Sequence, residues 1–344
     1  MRIERLLVTG GCGFIGSNFV RHVLAARPGL EVVNLDALTY AGRRENLADI
    51  EDDPRYRFVH GDICDAEAVR DAMDGCDAVV NFAAETHVDR SLLGAGHFIQ
   101  TDCYGVWVLL EEARRRGVAR FVQVSTDEVY GSIDRGSFTE SSPLMPTNPY
   151  SASKAGGDRI AFSFWASFGV PVIITRASNN FGPYQYPEKL IPLFVTNALT
   201  GLPLPLYGDG GNVRDWLWVL DHCRAIDFLL SHGDPGEVYN IAGGNERTNL
   251  EITTRILDLL GRPRDLIRFV EDRPGHDRRY SLDASKLAAL GWRPETSFED
   301  ALETTVRWYV DHPDWWRPIR EGDEEFAAYY RRQYGRRLED GPAG

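Results

Sequence analysis

The middle of the chain carries five side chains whose types and spacing suit acid–base chemistry. The stretch FVQVSTDEVYG is an apolar, strand-forming run that breaks into Thr126, Asp127 and Glu128. After a polar, proline-containing loop, the stretch NPYSASKAGGDR predicts a helix start with Tyr150 and Lys154 on one face. Because ligands of open α/β sheets bind at the carboxyl ends of the strands, the hydroxyl and the two carboxylates are expected to face a substrate crevice.

The spacing of the phenol and the amine suggests a specific role for each. A lysine ammonium beside a phenol stabilises the phenolate, so Lys154 would make Tyr150 a base near neutral pH. Taken alone, each group is a weak indication, because most Tyr-x-x-x-Lys pairs lie on ordinary helix surfaces and an Asp-Glu pair can simply be a solvated turn. The chemical interpretation therefore depends on a phosphate-binding fold earlier in the chain.

Such a fold is predicted at the start of the chain. An apolar strand over residues 3–9 runs directly into TGGCGFIGSNFVRHVLAA, in which Gly11, Gly13 and Gly16 fit G-x-G-x-x-G and Gly10, Gly13 and Gly16 fit G-x-x-G-x-x-G. Glycines let the backbone turn tightly and approach a pyrophosphate, which then lies on the amino end of the following helix. The strand before the glycines and the helix after them give this pattern its weight.

A carboxylate follows at the position where dinucleotide-binding folds hydrogen-bond the ribose. A second strand, residues 31–35, ends in Asp36, twenty residues beyond Gly16. A carboxylate there can accept hydrogen bonds from the adenosine ribose and would repel a 2′-phosphate, so the sequence predicts NAD rather than NADP.

Strands and helices then alternate as in a doubly wound sheet. Further strands are predicted at residues 56–59, 78–82, 121–124 and 170–175, and helices at 97–116 and 150–168. The fold class is therefore α/β: a Rossmann-type doubly wound parallel sheet with a smaller, interwoven C-terminal substrate-binding lobe. The predicted division is residues 1–180 for the NAD-binding domain with a return strand near 237–243, 181–330 for the lobe, and 331–344 for a tail whose role the sequence does not indicate.

Composition argues against several other classes of protein. The formal net charge of −13 opposes a nucleic-acid surface, and the five cysteines show neither metal-ligand spacing nor the density of a disulfide scaffold. No signal peptide precedes the first strand, and no apolar run has the length of a membrane span. We expect a cytoplasmic protein without a metal site, a nucleic-acid partner or a membrane anchor.

The helix at 150–168 is apolar around most of its circumference, whereas a surface helix should carry one apolar stripe. A second copy of the chain would cover the outer face. The sequence therefore predicts a homodimer through this helix and the helix at 97–116, with Phe164 and Trp165 pointing outward.

Taken together, these residues resemble the extended short-chain dehydrogenase/reductase family and, more narrowly, the dTDP-glucose 4,6-dehydratases. The resemblance covers nearly the whole chain, through TGGCGFIG, NLDALTYAG, HGDICD, NFAAETHVDRS, VSTDEVYG, PYSASKA, RASNNFGPYQYPEKLIP, YGDGGNVRDWLWV, YNIAGGNERTN and RPGHDRRY. Thr126-Asp127-Glu128 is the discriminating element, because relatives that only epimerise or reduce usually lack the Asp-Glu pair.

The resemblance implies a role for each of the five central residues. Tyr150, supported by Lys154, would take the proton of the sugar 4-hydroxyl while hydride passes to NAD, and Thr126 would bond near the 4-oxygen. Glu128 would then remove the proton at carbon 5, Asp127 would protonate the departing 6-hydroxyl, and the hydride would return to carbon 6.

The resemblance also implies two sets of binding residues. NAD would be held by Gly10, Gly13, Phe14, Ile15, Gly16, Asp36, Ala37, Leu38, Thr39, Gly42, Asp62, Ile63, Phe82, Ala83, Ala84, Thr86, Thr101, Tyr150, Lys154 and Asn180. The nucleotide sugar would be held by His87, Thr126, Asn179, Lys189, Leu190, Pro205, Tyr207, Arg214, Asn249, Arg273 and His276.

Two alternatives remain at this level, and one departure from the family stands out. Another NAD-dependent dehydratase, epimerase or decarboxylase of a UDP-sugar would share the cofactor and the tyrosine, and a non-catalytic NAD-binding scaffold would need only the glycine turn and Asp36. Relatives usually carry Asn where this chain has Asp102, a carboxylate that would alter the proton equilibrium of Lys154.

Overall fold

The computed structural model describes residues 3–272, 276–335 and 337–338. Its main sheet has seven parallel strands in the order β10-β6-β5-β4-β1-β2-β3. The strands of the described chain are β1 Arg5–Thr9, β2 Glu31–Asp36, β3 Tyr56–His60, β4 Ala78–Asn81, β5 Arg120–Thr126, β6 Val172–Ala177, β7 Asn179–Phe181, β8 Leu204–Tyr207, β9 Val213–Trp218, β10 Val238–Ile241, β11 Glu246–Thr248 and β12 Ile267–Val270.

The helices connect these strands and cover both faces of the main sheet. They are α1 Phe14–Ala26, α2 Ala66–Ala72, α3 Val88–Ser91, α4 Gly96–Ile99, α5 Val106–Arg116, α6 Pro149–Phe168, α7 Leu190–Thr200, α8 Val219–His232, α9 Asn249–Leu260, α10 Ser285–Ala289, α11 Phe298–Asp311, α12 Pro313–Gly322 and α13 Glu324–Tyr330. A π-helical turn, Gln100–Gly105, joins α4 to α5 and interrupts the helix expected over 97–116.

The central strands are apolar on both faces because helices cover both faces. Strand β4 is buried throughout, and the neighbouring strand β1 is buried from its second residue onward. Alternate residues of β1 belong to two separate cores: Leu6 packs on the side of α1 and α8, and Leu7 on the side of α5 and α6. The predicted Rossmann-type sheet is therefore confirmed.

Helix α6 begins at a capping box. The Asn148 side chain accepts from the backbone N–H of Ser151 at 2.9 Å, the Ser151 hydroxyl lies 3.3 Å from the Asn148 N–H, and Pro149 is the first helical residue. This cap sets where the helix starts and so places Tyr150 in its first turn.

The C-terminal half adds two small sheets and also returns to the main fold. The small sheets are β11-β9-β7 and β12-β8. Strand β10 pairs in parallel with β6, as expected for a return strand, and α8 packs against α1. The division at residue 180 stays a prediction.

One outward-facing assignment in α6 is wrong. Phe164 is only 5% exposed because it packs into the core beneath the helix, whereas Trp165 is 37% exposed. Among the described residues, no helix combines the length and the apolar character needed to cross a membrane.

Candidate active site

A cleft of about 420 Å³ opens at the carboxyl ends of the main-sheet strands. Its floor is the glycine turn between β1 and α1, where two glycines leave no room for a side chain. A Cβ on Gly10 would lie 2.6 Å from the backbone nitrogen of Ala83, and one on Gly16 would lie 2.2 Å from the carbonyl oxygen of Gly10. Gly10 also has a φ of +69°, which side-chain-bearing residues rarely adopt.

Asp36 ends β2 beside this turn and is buried. Its carboxylate accepts backbone hydrogen bonds from Cys12 and Leu38, each at 2.8 Å, and so holds the glycine turn to the strand end. Burial raises the pKa of Asp36, which these two hydrogen bonds oppose. Each carboxylate oxygen keeps capacity for a second hydrogen bond, so the group can also accept from a ribose hydroxyl.

The residues present fit a dinucleotide. The glycine turn offers the open amino end of α1, Asp36 offers carboxylate oxygens, and the cleft extends from there to Tyr150 and Lys154. Of the predicted cofactor residues, those that line the cleft are Gly10, Gly13, Phe14, Ile15, Gly16, Asp36, Ala37, Thr39, Gly42, Asp62, Ile63, Phe82, Ala83, Ala84, Thr86, Thr101, Tyr150 and Lys154.

Two predicted cofactor residues do not line the cleft. Leu38 has a φ of +51°, and its backbone N–H donates to Asp36. Leu38 therefore contributes to the turn through its backbone. The side chain of Asn180 bonds the ring of His222 at 2.9 Å. Burial lowers the pKa of His222 to about 3, so this histidine is neutral. Its hydrogen bond fixes the orientation of the Asn180 side chain.

Tyr150 and Lys154 both face the cleft from α6. The ammonium of Lys154 donates to the carbonyl oxygen of Val124 at 2.9 Å, which ties it to the end of β5, and Thr126 hydrogen-bonds Tyr150. The expectation that Lys154 brings the Tyr150 phenolate near neutral pH stays a prediction. The pKa of Tyr150 is raised well above its ordinary value, first by burial and then by the negative charge of Glu128.

The Asp-Glu pair lies where β5 passes into a single helical turn. Asp127 is 2% exposed, and burial followed by the neighbouring charge of Glu128 raises its pKa well above the ordinary value. Both effects favour the protonated form of Asp127. Thr126 organises the pair, since its hydroxyl lies 3.2 Å from Asp127 Oδ1 and accepts from the Glu128 N–H at 3.3 Å.

Asp102 lies behind Lys154 on the π-helical turn. Its Oδ1 accepts from the Glu85 N–H at 3.1 Å, and its Oδ2 is 2.6 Å from the hydroxyl of Ser153. Burial raises the pKa of Asp102 to about 6, and the positive charge of Lys154 opposes that rise. Close approach of the turn to α6 requires Gly157, where a Cβ would lie 2.3 Å from the Asp102 carbonyl oxygen.

Several predicted nucleotide-sugar residues gather around the segment at 276–277. The Tyr207 and His276 rings meet edge to face with centroids 5.9 Å apart, and Arg214 donates to the Asp277 carbonyl oxygen at 2.9 Å. The N–H of Asn249 donates to Asn212 at 3.0 Å, and Asn212 in turn reaches Asp277 at 3.2 Å. The lobe therefore brings a histidine, a tyrosine, an arginine and an amide to one place.

Other predicted substrate residues lie nearer the cofactor cleft. Lys189 lines the cleft, with its ammonium 3.5 Å from the Thr86 hydroxyl, and Leu190 follows it as the first residue of α7. His87 is buried beside Thr86. Pro205 lies on β8, two residues before Tyr207.

Two further predicted substrate residues, Asn179 and Asn249, have buried amide oxygens. The Oδ1 atoms of Asn179 and Asn249 are buried and have no hydrogen-bond partner among the residues that the structure describes. A buried polar atom without a partner is costly, so a ligand that donates to it gains affinity. Arg273 lies outside the described residues.

The cleft also contains residues that sequence reasoning missed. Tyr40 and Glu188 line it, and the Tyr40 hydroxyl donates to Glu188 at 2.8 Å. Glu188 is also ion-paired to Arg90 at 2.9 Å. Thr39 and Lys189, which directly neighbour Tyr40 and Glu188 in the sequence, were predicted to bind the cofactor and the substrate. This adjacency was the one sequence signal that could have indicated Tyr40 and Glu188.

The family model described as GDP-mannose 4,6 dehydratase matches residues 7–305 of this chain. A curated dTDP-glucose 4,6-dehydratase of Streptomyces niveus is 53% identical over 325 residues, which is 93% of this chain and 97% of that protein.

Two solved structures extend the comparison. DesIV, a dTDP-glucose 4,6-dehydratase from Streptomyces venezuelae with NAD and TYD bound, is 57% identical with a TM-score of 0.90, over 92% of this chain and 99% of that one. UDP-glucose 4-epimerase of Thermus thermophilus in complex with NAD is 32% identical with a TM-score of 0.83, over 90% of this chain and 99% of that one. The chain therefore belongs to the GDP-mannose 4,6 dehydratase family, among the dTDP-glucose 4,6-dehydratases.

Proposed function

We propose that this protein converts dTDP-glucose to dTDP-4-keto-6-deoxyglucose and water, with NAD as a resident cofactor. The observation that carries the proposal is the buried Asp127 beside Glu128 at the end of β5, where Thr126 contacts both carboxyl residues and Tyr150. Burial and the charge of Glu128 raise the pKa of Asp127 and so favour its protonated form. This arrangement places an acid, a candidate base and an oxidation site next to one another. The high identity to dehydratases of this specificity supports the same conclusion.

The oxidation half belongs to Tyr150, Lys154 and Thr126. Tyr150 takes the proton of the sugar 4-hydroxyl, and Thr126 orients that hydroxyl through its bond to the phenol. When bound, NAD supplies a hydride acceptor, later a hydride donor, and the positive charge of its nicotinamide ring. Positive charge beside Tyr150 opposes the effect of burial and Glu128, and Lys154 is held in place for that purpose by Val124.

The elimination half belongs to the carboxyl pair. Once carbon 4 is a ketone, the proton at carbon 5 is acidic, and Glu128 removes it. Asp127, whose protonated form is favoured by burial, donates its proton to the departing 6-hydroxyl. The two groups differ in burial and so take opposite roles, as acid–base pairs in active sites commonly do.

The principal alternative is epimerisation or decarboxylation of a UDP-sugar on the same fold. An epimerase needs the tyrosine and the cofactor but has no step that uses a buried protonated acid beside a second carboxylate. The 32% identity to a UDP-glucose 4-epimerase against 57% to a dTDP-glucose 4,6-dehydratase also favours dehydration. A non-catalytic NAD-binding scaffold would not require Asp127, Glu128 and Tyr150 to meet.

Incubation of the purified protein with dTDP-glucose and, separately, with UDP-glucose tests the proposal. We expect the 4-keto-6-deoxy product, identified by mass and by its alkaline absorbance, from dTDP-glucose at a much higher rate. A 4-epimer as the product from either sugar, or no turnover of either, would contradict the proposal.

We expect the protein to retain NAD through purification, because a redox-neutral cycle gains nothing from cofactor release. Acid precipitation should release NAD into the supernatant. A requirement for added NADP would contradict both this expectation and the role of Asp36.

We also propose a homodimer through the exposed apolar side chains of α5, α6 and the π-helical turn between α4 and α5. Tyr104, Trp107, Trp165 and Phe168 are each between 37% and 55% exposed. Replacing Trp107 or Trp165 by Glu should give monomer or aggregate in sedimentation, because a charge would be buried without a partner. Phe164→Glu does not test the interface, since Phe164 belongs to the core.

A cytoplasmic location stays a prediction.

A further inference from the structure

The C-terminal segment Asp323–Gly335 packs against the nucleotide-sugar side of the molecule. It consists of α13 and the π-helical turn Arg331–Gly335 that follows it. The side chains of Phe326, Tyr329 and Tyr334 are buried. The segment is therefore bound to the body of the protein through several side chains.

Its closest polar contacts are with Tyr207. The Gln333 amide donates to the carboxylate of Asp89 at 2.9 Å and to the Tyr207 hydroxyl at 2.5 Å, which its two N–H groups allow. The Tyr207 and Tyr329 hydroxyls both lie 3.4 Å from the same Asp89 oxygen. Asp89 is 3% exposed, so this cluster is shielded from water and each bond counts more than it would at the surface.

The segment also packs on His87. The rings of His87 and Tyr329 meet edge to face with centroids 5.5 Å apart. His87 has a φ of +89°, a costly conformation for a residue with a side chain, which persists only where surrounding contacts hold it. Tyr329 is one of those contacts.

A third contact ties the segment to the wall of the cleft. Arg90 pairs with Glu325 on α13 at 2.6 Å and with Glu188 at 2.9 Å, and its guanidinium lies 3.6 Å from the centre of the Tyr40 ring. Glu188 is 1% exposed and directly precedes Lys189. Each of these contacts thus reaches a predicted nucleotide-sugar residue or its neighbour.

We propose that Asp323–Gly335 is part of the nucleotide-sugar site, and that Gln333 is a positioning residue which, with Asp89, fixes Tyr207 and through it strand β8. The inference rests on the proposed function, because Tyr207 and His87 are substrate residues only in that function. Loss of Gln333 removes the shortest hydrogen bond to the Tyr207 hydroxyl and leaves Asp89 with one donor fewer. The nucleotide then binds to a less ordered wall, whereas the reacting groups at Tyr150 are unaffected.

The test compares Gln333→Ala and Gln333→Glu with Arg332→Ala, a control at an exposed position on the same turn. Titration with dTDP measures nucleotide binding without turnover, and steady-state assays give KM and kcat for dTDP-glucose. Gln333→Ala should weaken dTDP binding and raise KM about fivefold to tenfold, which corresponds to the net contribution of one ordinary hydrogen bond. We expect kcat and NAD content to stay at the level of the control.

Gln333→Glu keeps the size of the side chain but cannot donate when ionised and faces the carboxylate of Asp89. Its effect on dTDP binding should exceed that of Gln333→Ala and should shrink as the pH falls toward protonation of the new carboxyl, which loss of packing alone would not produce. This variant gives the same test if the alanine variant is unstable.

Equal dTDP affinity in Gln333→Ala and Arg332→Ala would overturn the inference. Tighter dTDP binding in Gln333→Ala would overturn it as well, because the segment would then obstruct the site. Failure of the proposed function looks different: the wild-type protein would bind dTDP without converting dTDP-glucose.

Discussion

The two ends of the cleft are built in different ways. The cofactor end is a strand, a glycine turn and a helix that are consecutive in the chain, and its shape depends on backbone atoms of Gly10 and Gly16. The nucleotide-sugar end collects single side chains from β7, α7, β8, β9, α9 and the segment at 276–277. We therefore expect a single substitution in the glycine turn to abolish most cofactor binding. A single substitution at the nucleotide-sugar end should weaken nucleotide binding only partly.

The largest effect should come from Gly16→Ala at the cofactor end. The added methyl would lie 2.2 Å from the Gly10 carbonyl oxygen and 2.8 Å from the Gly11 Cα, and no side-chain rotation can relieve a clash with backbone. Retained NAD and activity should fall by a factor on the order of a hundred or more, since one misplaced ångström in a site has effects of that size. Gly29→Ala, where nothing lies within 4 Å, is the matched control and should keep its NAD. A Gly16→Ala protein with full NAD content would show that the turn is not the rigid element of the comparison.

A smaller, graded effect is expected at the sugar end from Asn249→Ala. The dTDP dissociation constant should rise about tenfold because the ligand loses a hydrogen bond, while the NAD content stays unchanged. Thermal stability should not fall, because the Asn249 oxygen has no partner within the described part of the chain. Leu259→Ala, at an exposed position on the same helix, is the control. Loss of NAD together with dTDP affinity would mean that the two ends are not separable.

A third effect, on the free energy of unfolding and not on ligand binding, is expected at Asp102. The folded protein raises the pKa of this carboxyl from 3.8 to about 6, so the stability linked to Asp102 is complete below pH 4 and is lost as the pH rises through 6. Asp102→Asn should match the wild type in unfolding free energy near pH 4 and exceed it by up to about 3 kcal/mol above pH 6. An asparagine fits, since its oxygen can accept from the Glu85 N–H and its amide can donate to Ser153.

Asp53→Asn provides a control of opposite sign for the Asp102 measurement. A hydrogen bond from Arg55 lowers the pKa of Asp53, so its stabilising contribution is present above the unfolded pKa and disappears in acid. A stability difference for Asp102→Asn that does not change between pH 4 and 7 would contradict the assignment of a raised pKa.

The same contrast explains what the sequence could predict. The glycine turn, Asp36 and the strand ends were found because a βαβ unit places residues that are close in sequence close in space. The start of α6 at Pro149 could also be predicted from a local pattern, since its capping box spans four residues. The parallel direction of the main-sheet strands followed from strand–helix alternation.

The misses concern burial and long-range contacts. The pattern in α6 showed apolar residues all round but not that Phe164 lies under the helix and Trp165 outside it. The pKa of Tyr150 depends on how deeply the group is buried and on Glu128, neither of which spacing reveals. The contact of Gln333 with Asp89 joins residues 244 positions apart, so no local pattern could indicate it.

The division of work between Asp127 and Glu128 tests the central claim most directly. In single turnover with dTDP-glucose, Asp127→Asn and Glu128→Gln should each still oxidise carbon 4, seen as a near-ultraviolet rise from reduced nicotinamide, with little 6-deoxy product. Tyr150→Phe should lose most of that rise, since the base for oxidation is gone. In deuterated water, Asp127→Asn should exchange the carbon 5 proton of the trapped ketone and Glu128→Gln should not. Equal exchange in both variants, or exchange in Glu128→Gln alone, would contradict the assignment of Glu128 as the base and Asp127 as the acid.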